Sequence, residues 1–140
     1  MSMRCRGIRG ATTVEENTRE SILQATRELL EKMIRANEIK VEEIACAFFT
    51  TTPDLTAEFP ALAARQMGWT QVALLCGHEM HVPGSLPQCL RILILYNTER
   101  DAGEIVHVYI KGAEKLRMNN ANQKPEARSK NPDCLLSLVS

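Results

Sequence analysis

The chain has 140 residues, with 17 Lys and Arg against 17 Asp and Glu, so its formal net charge is zero. That length suits one domain with a real hydrophobic core, and a balanced charge argues against a dedicated nucleic-acid binder, which usually carries a basic excess. No apolar run reaches the length of a membrane span, and the N-terminal MSMRCRGIRG lacks the apolar core of a signal peptide, so a soluble cytoplasmic protein is expected.

Residues 3–11, MRCRGIRGA, read as a short first strand broken by Gly7 and Gly10. Asn17 followed by Glu20 suggests a capping box for the next helix. Within it Ile22, Leu23, Thr26, Leu29, Leu30, Met33 and Ile34 recur at three- and four-residue spacing, the mark of an amphipathic helix with one buried stripe. IACAFFTT, from Ile44 to Thr51, is a short apolar run of β-formers and reads as a buried strand. TPDL follows as a turn, and Pro60 suits the first turn of a second helix, FPALAARQM, ending near Gly68.

Val72 to Cys76 is strand-like, and HVPGSLPQ is a loop punctuated by two prolines and a glycine. CLRILILY, from Cys89 to Tyr96, is the strongest strand signal in the chain. Val106 to Ile110 reads as another strand, with Ala113 to Arg117 as its possible continuation. Beyond Arg117 the composition turns polar and proline-containing, so residues 1–117 are expected to form a single domain and residues 118–140 a flexible polar tail. The order of elements suggests an α+β protein, one mixed five-stranded sheet with helices on one face. Two helices cannot cover both faces. The open face must therefore be polar, or be buried by other copies of the chain.

The stretch CGHEMHVPGSLPQC raises the question of a metal, since Cys76, His78, Glu79 and His81 are all possible ligands. A zinc site needs three or four ligands converging on one point, but there is no CxxC pair and no second Cys/His cluster to complete the set, and no metal is expected. The five cysteines (Cys5, Cys46, Cys76, Cys89 and Cys134) are odd in number and scattered, a pattern of reduced thiols rather than of a disulfide framework. Cys76 beside a histidine also invites comparison with thiol hydrolases, although no local motif supplies an oriented base or an oxyanion hole.

Arg91 is more informative, because it sits inside a run that looks apolar on both faces. A guanidinium stays charged, and burying it without compensation is costly. It either forms a buried ion pair, with Glu79 or Asp54 as candidates, or projects into a pocket to meet an anion or a polarised oxygen. Arg9 raises the same question: on a regular strand Cys5, Gly7 and Arg9 share one face, while Arg4 and Arg6 share the other.

Four segments in order, RGIRGATTVEENT, TPDLTAEFPALAAR, CGHEMHVPGSLPQCLR and HVYIKGAEKLR, resemble the AroH-class chorismate mutases, the small trimeric type found in Bacillus. The likeness runs from about Arg6 to Arg117. It implies a homotrimer with a pseudo-α/β barrel core, active sites in clefts between subunits, and the cofactor-free rearrangement of chorismate to prephenate on the way to phenylalanine and tyrosine. By motif, Arg91 is expected to contact the ether oxygen of the breaking bond, Glu79 the ring hydroxyl with Cys76 close beside it, and Arg9 with Tyr109 a carboxylate. Phe59 and Arg65 would enter from the adjacent subunit, with Leu116 and Arg117 at the mouth of the cleft. Leu75 occupies a position where a Bacillus member has threonine, and Leu62 one where it has lysine. Strict alternation places Cys76 and Glu79 on opposite strand faces, so the strand must end or bulge near Gly77 if both are to reach one pocket. Two other readings compete: a trimeric imine or enamine deaminase of similar architecture, and a non-catalytic sensor of a small anion.

Overall fold

A computed structural model describes residues 2–116 of the chain. Arg117 and the tail at 118–140 lie outside the described residues. Five strands form one sheet: β1 (Arg4–Thr13), β2 (Ile44–Thr51), β3 (Ala73–His78), β4 (Cys89–Thr98) and β5 (Val108–Tyr109). Their spatial order is β3-β2-β4-β1-β5. β4 runs antiparallel to both β1 and β2, while β3 and β5 lie parallel to β2 and β1 at the two edges. The sheet is mixed, as expected.

The helices α1 (Arg19–Asn37) and the short α2 (Ala61–Gln66) accompany it. In α1 the side chains of Ile22, Leu23, Thr26, Leu29, Leu30 and Met33 are buried, as their spacing predicts; Ala25 joins them, while Ile34 is only half-buried. The cap differs from expectation. Thr18, not Asn17, accepts the N–H of Ser21 at 3.1 Å. Asn17 instead accepts the N–H groups of Thr56 and Ala57 at 2.8 and 3.0 Å, so a loop far along the chain outcompetes the helix for its oxygen.

Strand alternation divides the sheet between two tasks. Ile8, Gly10 and Thr12 of β1, Ala47 and Phe49 of β2, and Leu90, Ile92, Ile94 and Tyr96 of β4 turn toward the helices and are buried. Register brings them together, with Ile8 opposite Ile94, Gly10 opposite Ile92, and Phe49 opposite Ile92 on the other side. At Gly10 an added Cβ would lie 3.1 Å from Cγ and Cε of Met33, so the glycine lets α1 approach closely. The other face carries Arg9 and Ala11, Phe48 and Thr50, Leu75, and Arg91, Leu93 and Leu95. It is largely apolar and half-exposed, with Leu75 at 62%. Of the two alternatives for the open face, the polar one therefore fails.

The last strand is shorter than its sequence suggests. Only Val108 and Tyr109 pair with β1, and Lys111–Ala113 form a 3-10 turn rather than a continuation of the strand. No helix among the described residues is long and apolar enough to cross a membrane.

Candidate active site

A pocket of about 230 Å³ opens on the half-exposed sheet face, lined among others by Arg9, Phe48, Thr50, Glu79, Arg91 and Tyr109. Backbone register places these groups. Arg91 of β4 has Ala11 of β1 on one side and Thr50 of β2 on the other. Arg9, two residues before Ala11, pairs with Leu93, and Tyr109 of β5 pairs with Ala11. Four strands thus deliver side chains to one patch, with Phe48 and Leu93 as an apolar floor.

Glu79 follows β3 directly. Its N–H donates to the carbonyl of Thr51 at 2.8 Å, extending the strand pairing by one residue and aiming the side chain across β2. Its carboxylate accepts the hydroxyl of Thr50, and Oε2 stands 3.7 Å from Nε of Arg91. The Arg91 and Glu79 side chains are only 16% and 21% exposed, so the pair lies largely out of water. Asp54, the other candidate partner, accepts instead from the hydroxyl of Thr52 and the N–H of Gln88. Two guanidiniums against one carboxylate leave the pocket with a surplus positive charge, suited to a carboxylate ligand.

Cys76 does not join this group. It lies on the helix side of β3, opposite Phe49, in a second cavity of about 340 Å³ lined by Thr51, Leu55, Phe59, Pro60 and His78. The strand ends at His78 without a bulge, so alternation keeps Cys76 and Glu79 on opposite faces, and the expectation that Cys76 sits close beside Glu79 within one chain is corrected. Burial pushes the Cys76 thiol up, against the opposing pull of a hydrogen bond from Ala61 and the charge of Arg65. A thiol held protonated is a poor nucleophile, which counts against the hydrolase reading. Phe59 is 69% exposed at the rim of this second cavity. Leu75 lies on the pocket's face but out at the edge strand, and neither it nor Leu116 lines the pocket.

His78 lies at the end of β3 with Nδ1 3.1 Å from the hydroxyl of Thr51, and His81 is exposed in the following loop. Among the described residues no three of His, Cys, Asp and Glu come together as a metal would require. Cys89 is fully buried two residues before Arg91. Burial pushes its thiol up, while the charge of Arg91 and a hydrogen bond from it oppose the shift.

Sequence reasoning missed Thr50 and Phe48. Their spacing from Cys46 shows that the three share a face, but only the pairing of β2 with β4 reveals that it is the face of Arg91.

The model for the family "Chorismate mutase type I" matches residues 5–120. A Thermus thermophilus protein named chorismate mutase AroH is 56% identical over 113 residues, which is 80% of this chain and 93% of that protein. A Bacillus subtilis protein of the same name is 46% identical over 116 residues, covering 82% of this chain and 91% of the relative. Among solved structures, a chorismate mutase from Clostridium thermocellum matches with a TM-score of 0.77 at 48% identity, over 78% of this chain and 97% of that one.

Proposed function

Because the chain belongs to the chorismate mutase type I family, it is a chorismate mutase, and we propose that the pocket around Arg91 is where chorismate becomes prephenate. The reaction breaks a C–O ether bond and forms a C–C bond within one molecule, so the protein needs to move no proton and supply no nucleophile. Negative charge grows on the ether oxygen and positive charge on the ring as the bond breaks. Arg91 donates to that oxygen, Glu79 holds the ring hydroxyl and faces the positive ring, and Arg9 with Tyr109 clamps a carboxylate.

The magnitudes are compatible with this assignment. An acceleration of about a millionfold needs roughly 8 kcal/mol. One preorganised donor at a developing oxyanion contributes about 3–4 kcal/mol, and holding the compact reactive conformer can supply several more, up to roughly 7. The observation that carries the reading is Arg91 itself, set on the sheet face between Ala11 and Thr50 with Glu79 as its neighbour.

The complete site is shared between subunits of a homotrimer. Two features support this: the apolar, half-exposed sheet face, which water alone would cover badly, and the positions of Phe59, Arg65, Cys76 and Leu75, which lie away from the Arg91 pocket of their own chain. The adjacent copy would present them. Residues 1–117 act as one mutase domain, a reading supported by the family match over 5–120. Work in the cytoplasm without a cofactor is what the family resemblance implies. Leu116 would lie at the mouth of the cleft, the place that the resemblance gives it.

Purified protein mixed with chorismate and a chelator should consume the chorismate ultraviolet absorbance and yield prephenate. Binding without turnover would make the protein a sensor instead. A protein that neither binds nor converts chorismate would overturn the assignment. Sedimentation should give three chains per particle, and a monomer that is fully active would refute the shared site.

A further inference from the structure

Tyr109 and Arg9 come from neighbouring strands, yet β5 is only two residues long and pairs with β1 only at Gly10–Val108 and Ala11–Tyr109. So short a ladder fixes the position of Tyr109 poorly by itself. Further bonds hold it at both ends. Upstream, the buried Asn37 at the end of α1 donates to the carbonyl of Val106 and accepts its N–H, both at 2.8 Å. Downstream, the N–H of Ile110 donates to the carbonyl of Ala11 at 3.0 Å, and that of Gly112 to the hydroxyl of Thr13 at 3.1 Å. Between these lies His107, whose ring Nδ1 accepts the backbone N–H of Arg9 at 3.0 Å.

An imidazole here accepts a bond that a ladder carbonyl would accept in a longer strand. To accept it, Nδ1 must offer a lone pair, so the neutral ring carries its proton on Nε2. The bond joins the residue two before Tyr109 to the backbone of Arg9, and so crosses between the two strands that supply both groups.

We propose that His107 is a positioning residue for the mutase reaction, fixing through Nδ1 the spacing between the Arg9 guanidinium and the Tyr109 hydroxyl. The proposal rests on reading those two groups as the carboxylate clamp. His107 acts through the backbone and through its neighbour, and touches no reacting atom. A clamp that grips the substrate equally in ground and transition states affects KM more than kcat.

Amide substitutions separate the two ring nitrogens. An asparagine oxygen falls near the place of Nδ1, and a glutamine oxygen near that of Nε2. His107→Asn is expected to keep KM for chorismate within about twofold of the unsubstituted enzyme. His107→Gln and His107→Leu should raise KM about five- to tenfold, the equivalent of one hydrogen bond, with kcat changed by no more than about twofold. Melting temperatures of the Asn and Gln variants should agree. Equal KM values for Asn and Gln would overturn the proposal, as would a parallel fall of kcat and melting temperature at constant KM. The unsubstituted enzyme is assayed first: if it does not convert chorismate, the mutase reading itself fails, before any variant is compared.

Discussion

Replacing Arg91 with alanine removes the group on which the catalytic assignment depends. The arginine is mostly buried, with Glu79 at 3.7 Å, so its charge is weakly screened and is held in place before substrate arrives. A donor of that kind at a developing oxyanion supplies about 3–4 kcal/mol, so kcat should fall by a few hundredfold to a thousandfold. The ether oxygen carries little charge in the ground state, and KM should therefore move by no more than about threefold. The remaining roughly 4–5 kcal/mol of an 8 kcal/mol acceleration belongs to conformer positioning, so the variant should still outpace the uncatalysed reaction. Arg91→Lys keeps the charge but loses the planar fork, and should fall between the two. The assay is steady-state chorismate consumption at several substrate concentrations. An Arg91→Ala enzyme with intact kcat and a large rise in KM would refute the reasoning, because it would show Arg91 to be an ordinary binding group.

Gly10→Ala drives a methyl group against buried Met33, an overpacking cost of about 1–3 kcal/mol offset by about 0.4–1 kcal/mol from a less flexible unfolded chain. Urea unfolding should show a net loss of stability, and an unchanged midpoint would refute the close packing. Asn37→Leu removes both hydrogen bonds to the half-exposed backbone of Val106 and should cost about 1–3 kcal/mol by the same measurement. Burial raises the Cys89 thiol above its ordinary value of 9.0, so the unfolded chain ionises there first. The stability due to that thiol is full below its unfolded pKa and is lost as pH rises through the folded one. Cys89→Ala should flatten this alkaline decline in melting temperature.

Much of the fold was legible because its signals are local. The stripe on α1 and the run Ile44–Thr51 needed only periodicity and composition, and β2 has those bounds. Alternation alone put Arg9 on the side away from Arg4 and Arg6. What could not be read is what distant parts of the chain do to local signals. Asn17 looks like a cap but serves the Thr56 loop, and the strand expected over Val106–Ile110 is cut short because the side chains of Asn37 and His107 take over part of its pairing. Pairing also decided the site: Thr50 belongs to it because β2 lies beside β4. The opposite orientations of Cys76 and Glu79 follow from simple alternation once β3 is seen to end without a bulge.

β1 and β4 each give alternate residues to the hydrophobic core and to the pocket, locked by ten consecutive pairings. A slip of one residue by β1 would turn Arg9 into the core and Ile8 outward, and a slip by β4 would do the same to Arg91 and Ile92, so either would damage packing and pocket together. Folding fidelity and catalytic competence are therefore a single trait in these strands. Evolution and engineering can exchange side chains here one position at a time, but insertions or deletions must go into the loops. An odd-length change within either strand would leave no partly working intermediate for selection to improve.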